Sequence, residues 1–137
     1  MDLEILKIAA DTKNNKEIKN FTHSSKYKNQ LCGDEMEISI IVKNQKISDI
    51  GYQCKSCIYC QASASLLSKL SINQSLKKIK EINSFVGKFF KNTNLKFSKE
   101  WKQFEKLFNK KNISRKECIL LPFKTLTKAL KSLYEKR

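Results

Sequence analysis

Hydrophobic and polar positions change their period twice along the chain. Leu3, Ile5, Leu6 and Ile8 form the apolar side of a short predicted helix over residues 1–10, and residues 11–30 are polar and read as irregular. From Met36 the pattern alternates. Met36, Ile38, Ile40 and Val42 share one face of a strand, Asn44-Gln45 supplies a turn, and Ile47 to Cys54 returns, predicting a hairpin at about 36–54.

After Gly51 the spacing becomes helical. Ser56 is the predicted N-cap of a helix carrying Ala62, Leu66, Leu67 and Leu70. A second helix over 73–90 places Leu76, Ile79, Ile82, Val86 and Phe89 at three- and four-residue intervals. Ser98 would cap a third, bearing Trp101, Phe104 and Phe108. The last helix is predicted to start around Pro122, with Phe123, Leu126, Leu130 and Leu133 as its stripe. The class is α+β: a small antiparallel sheet covered by C-terminal helices. Pro122 is the one proline and no linker composition divides the chain, so residues 1–137 are expected to form a single domain.

Composition narrows the function classes. Hydrophobic residues make up 40% of the chain, but no apolar run approaches the roughly 20 residues of a membrane helix. Met1-Asp2-Leu3-Glu4-Ile5 does not read as a secretory signal, so the expected location is the cytoplasm. In that reducing compartment five cysteines point to metal binding or sulfur chemistry rather than to disulfides. The net charge of +15 and pI near 9.7 raise nucleic acid as a partner. Of 28 basic residues, however, only Arg115 and Arg137 are arginine, the residue suited to bidentate phosphate and guanine contacts. The lysines read as solvated helix faces. A basic nucleic-acid-binding protein with a structural zinc is the competing class, and its binding would fall steeply with salt.

Three places carry candidate chemistry: Cys32-Gly33-Asp34 before the first hairpin strand, Cys57 at the junction of hairpin and helix, and Cys118 just before the last helix. Thiolates suit zinc or iron–sulfur clusters, and Asp34 adds a harder oxygen donor that makes such a site more exchangeable. Gly33 can take a positive φ or let the backbone approach a metal. Cys57, at a helix start, would face the positive end of the helix dipole. Cys54, Cys57 and Cys60 form C-x2-C-x2-C, but the next cysteine and proline of a ferredoxin run are absent, and Cys32 and Cys118 lack the paired knuckles of a zinc ribbon. Cys54 reads as a small core or surface residue, and His23 as a surface or packing residue.

Taken together, Leu31-Cys32-Gly33-Asp34, the run Cys57 to Ser65 containing Ala62-Ser63-Ala64-Ser65, and Arg115-Lys116-Glu117-Cys118 before Leu121-Pro122-Phe123 resemble the NifU-like (IscU/SufU-type) iron–sulfur cluster assembly scaffolds. The long separation of Cys57 from Cys118 is more similar to the Suf-type branch. The resemblance implies Cys32, Asp34, Cys57 and Cys118 as ligands of a transient [2Fe-2S] cluster or Zn2+, with Cys32 and Cys118 as candidate persulfide acceptors. It implies a carrier rather than an enzyme, with a cysteine desulfurase and apo iron–sulfur proteins as partners. The chain departs from the pattern at Ser56, where the family has glycine; at Cys60, where it has serine; and at Glu117, where Isc-type members have histidine. Cys60, one helical turn from Cys57, is a candidate substitute ligand or resolving thiol.

Overall fold

A computed structural model describes residues 2–31 and 33–135, the last four by their backbone alone. Helix α1 (Leu3–Ala10) leads to a three-stranded antiparallel sheet, β1 (His23–Lys28), β2 (Glu35–Lys43) and β3 (Lys46–Lys55), in the order β1-β2-β3. Helices α2 (Ile58–Ser71) and α3 (Leu76–Phe89), two 3₁₀ helices (Lys99–Lys106 and Lys110–Arg115) and α4 (Lys116–Glu135) complete the chain. This is the expected α+β architecture. Among the described residues no helix is long and apolar enough to cross a membrane.

The hairpin forms because Asn44 and Gln45 both take positive φ (52° and 62°), the geometry that matches strand twist in a two-residue turn. It pairs Lys43 with Lys46 and continues, past a bulge at Ile41/Val42, to Glu35 opposite Lys55. Met36, Ile38, Ile40, Ile47, Ile50 and Tyr52 are thereby buried against the helices. In α3 the whole predicted stripe from Leu76 to Phe89 is buried, while Lys77, Lys78, Lys80 and Lys88 are exposed. The short residues from Ala62 to Ala64 are also buried, so α2 packs closely on its neighbours.

Several expectations need correction. Residues 11–30 are not all irregular, because His23–Lys28 forms the edge strand β1. Its sequence lacks apolar alternation. Pairing with β2 holds it, along with two contacts to α4: Ser25 Oγ donates to Thr125 O (2.6 Å) and Lys128 Nζ to Lys26 O (2.7 Å). Leu3 is exposed, since α1 buries Ile5 and Ala9 instead. The N-cap of α2 is Cys57, one residue after Ser56, because β3 runs on to Lys55. The helix capped at Ser98 is 3₁₀, whose three-residue period suits the inward pair Trp101 and Phe104. Those rings join a cluster in which Phe104 lies 5.2 Å from Phe123 and Phe89 lies 5.6 Å from Phe108.

The last helix does not start at Pro122. It starts at Lys116 and carries the proline inside, which puts Cys118 in its first turn rather than before it. An interior proline costs about 3 kcal/mol. Continuing the helix buries Ile119 and Leu121 completely, and at about 1.5–3 kcal/mol each these two side chains offset the loss. The Leu133 side chain lies outside the described residues.

The segment after α1 folds back over β3. Tyr52 N–H donates to Asn14 O (3.0 Å), and a Cβ on Gly51 would sit 2.5 Å from the Lys16 carbonyl and 3.1 Å from Ile18. Backbone has to yield to any side chain there. Gly51→Ala is expected to destabilise the protein by about 1–3 kcal/mol, read as a lower urea midpoint with unchanged m-value.

Candidate metal centre

The site lies at the sheet end opposite the Asn44-Gln45 turn. Residues 29–34 connect β1 to β2, and the last rungs, Lys28 with Glu35 and Glu35 with Lys55, bring the loop beside the exit of β3. Asp34 ends this loop, Cys57 caps α2 two residues beyond β3, and Cys118 sits in the first turn of α4. A carboxylate oxygen of Asp34 and the Sγ atoms of Cys57 and Cys118 lie within 4.8 Å of one another. Three segments distant in sequence therefore converge.

Asp34 is 8% exposed, and its Oδ2 is buried without a hydrogen-bond partner. A buried carboxylate oxygen with only two thiols, weak donors, beside it suits a bound cation, which would supply the missing counter-charge. Burial, reinforced by Cys57 and Asp34 alongside, pushes the Cys118 thiol above its ordinary range. A metal entering here would have to displace a proton.

The predicted residues fall into separate places. Asp34, Cys57 and Cys118 come together, while Cys32 lies outside the described residues. Cys60 is fully buried in the core and outside the group of three; burial pushes its thiol up. Cys54 is partly buried against the core, its thiol also raised by burial. His23 is on β1, its Nδ1 2.8 Å from Thr22 Oγ1. Gly33 adopts φ +75°, the left-handed conformation that glycine takes without strain, with open space where a Cβ would sit.

Supporting contacts surround the ligand atoms. Ser63, in the Ala-Ser run, donates from Oγ to Ile119 O (2.6 Å), locking α2 to α4 beside Cys118. Arg115 lies over the Tyr59 ring at 5.2 Å, a second tie between the starts of those helices. Asn29 carries only a local signal in the sequence, that of an asparagine turn former before a Gly-containing loop. Buried at 5% exposure, it accepts from Leu31 N–H (2.8 Å) and donates to Glu117 Oε2 (3.1 Å). That hydrogen bond, with Lys124 nearby, holds the Glu117 carboxyl below its usual range.

Residues 3–92 match the family model for the NifU-like N terminal domain. An uncharacterized protein of Borreliella burgdorferi is 36% identical over 114 residues, 82% of this chain and 74% of that one. The iron–sulfur cluster assembly scaffold protein IscU of Thermotoga maritima is 30% identical over 107 residues, 77% of this chain and 75% of its own. Among solved structures, the N-terminal part of a nitrogen-fixing NifU-like protein from Brucella abortus superposes with a TM-score of 0.88 at 15% identity, covering 99% of this chain and 95% of that one. A Fervidobacterium islandicum protein described as a cluster assembly scaffold for the SUF system gives 0.84 at 24% identity, covering 95% and 96%. These two likenesses establish the fold.

The raised thiols predict a pH dependence. An ordinary thiol ionises near 9.0. In the folded metal-free protein Cys54, Cys60 and Cys118 stay protonated beyond that point, so their contribution to stability is complete below it and is lost as pH rises. The urea midpoint of reduced, metal-free protein is expected to fall from about pH 8 to about pH 10, and Cys60→Ala to flatten part of that decline.

Proposed function

The chain belongs to the family of NifU-like N-terminal domains, and from that premise we propose that it is an iron–sulfur cluster assembly scaffold, a carrier rather than an enzyme. The observation that carries this reading is the convergence of Asp34, Cys57 and Cys118, with the Asp34 oxygen buried and unpartnered. Cys32, two residues before Asp34, is proposed as the fourth donor. Three thiolates and one carboxylate suit Zn2+ or the irons of a [2Fe-2S] cluster, held as cargo.

Sulfur would arrive from a cysteine desulfurase. A thiolate at Cys32 or Cys118 attacks the terminal sulfur of the donor's persulfide and leaves the donor's thiol behind. Apo iron–sulfur proteins, in the cytoplasm, would be the recipients. Release favours a mixed donor set, because a carboxylate binds soft metals less tenaciously than a fourth thiolate would. Zinc-dependent sulfur transfer of the Suf type is the second reading. The long Cys57–Cys118 interval, occupied here by α2, α3 and the two 3₁₀ helices, supports it.

Metal and acid-labile sulfide are measured on protein purified without oxygen. Iron with equal sulfide, lost in Cys32→Ser and Cys118→Ser, is the expected result for cluster assembly; zinc near one per chain without sulfide selects the sulfur-transfer reading. Absence of both overturns the site. Asp34→Ala is expected to hold its cargo longer and to slow transfer to an apo acceptor, followed by the acceptor's visible absorption; unchanged transfer would refute the exchangeable-ligand role.

A further inference from the structure

The donors sit on three separate elements, so the site needs ties that fix those elements to one another. Ser63 and Ile119 tie α2 to α4. The loop bearing Asp34 has a different tie, built on Asn29. Its backbone N–H donates to Asp34 O (2.9 Å) and its carbonyl accepts from Gly33 N–H (2.8 Å), closing the loop at both ends. Its side-chain oxygen accepts from Leu31 N–H, which would be enough for a turn former. The side-chain nitrogen goes further and donates to Glu117 Oε2 on α4, next to Cys118. Lys124, on the same helix, approaches that oxygen at 3.4 Å and holds the carboxylate in place. Glu117 is thus occupied and is absent from the group of ligand atoms.

We infer that Asn29 and Glu117 are a positioning pair, which keeps the Asp34 loop aligned with the first turn of α4 so that the loop and Cys118 present their donors to one centre. The inference rests on the reading of that centre as a metal or cluster holder. Neither residue touches the cargo. Each acts through a neighbour: Asn29 through the loop that ends in Asp34, Glu117 through the helical turn that carries Cys118. Outer residues of this kind commonly change metal affinity by about 10–100-fold.

The test uses reduced, metal-free full-length protein titrated with Zn2+ against a chromophoric chelator, with cobalt(II)–thiolate absorption as a second reading. Asn29→Asp keeps the Leu31 contact but sets a carboxylate against Glu117, and is expected to weaken zinc binding about 10–100-fold and to alter the cobalt spectrum. Adding Glu117→Gln restores a donor–acceptor match, and Asn29→Asp/Glu117→Gln is expected to recover most of the loss. Glu117→Ala, at a partly exposed position, should fold normally and lose affinity similarly. Gly51→Ala separates general destabilisation from misalignment, since it should lower the urea midpoint without changing affinity. Wild-type affinity in Asn29→Asp or Glu117→Ala, or a double variant no better than Asn29→Asp, overturns the pair. Wild-type protein that takes up neither metal overturns the reading of the site, and this inference with it.

Discussion

The register of β2 against β3 is the constraint on which the site depends. The turn at Asn44 and Gln45 sets it, and the ladder carries it to Glu35 opposite Lys55. Side chains alternate with period two, so a slip of one residue would turn Ile38, Ile40 and Ile50 away from the core. The same slip would move Asp34 relative to Cys57. Core burial and donor placement are therefore fixed by one choice of pairing, and the free energy that holds the hydrophobic face also holds the site.

Much of this was legible in the chain. The hairpin, the α3 stripe and the inward aromatic positions followed from period alone, because each buries one face against a continuous core. The gathering of Asp34, Cys57 and Cys118 could be anticipated from residue type and resemblance, but not from spacing, since their proximity depends on tertiary packing. What escaped notice shares a physical cause. The strand His23–Lys28 is held by backbone pairing and by α4, neither of which leaves a hydrophobic pattern. Proline's first-turn preference points to a helix start at Pro122, whereas in α4 buried Ile119 and Leu121 outweigh the local cost of carrying it inside. Asn29 and Glu117 are polar residues whose partners are distant in sequence, and local reading does not see such pairs.

Burial gives the centre its chemical character. Cys118 and Asp34 are nearly inaccessible, while Cys57 is partly exposed at the cap of α2. The donor set thus combines deep residues, whose charge is costly without a cation, with one that solvent can reach. Were a metal held there, such a combination would couple occupancy to proton release. It also places the residue open to the outside at the end of a helix anchored by Ser63 and by the Tyr59–Arg115 contact, so that access does not come with looseness.

The two rims of the sheet are treated differently. Along β3, the chain itself supplies partners: Asn14 O takes the Tyr52 N–H, and the connection between α2 and α3 pairs with Ile47 through Asn73 and Gln74. Along β1 the rim bears exposed Lys26 and Lys28. A second copy approaching rim to rim would meet its own positive charge there, and at β3 it would find backbone groups already engaged. With a net charge of +15 over the chain, copies can therefore be crowded together without adding strand to strand into aggregates.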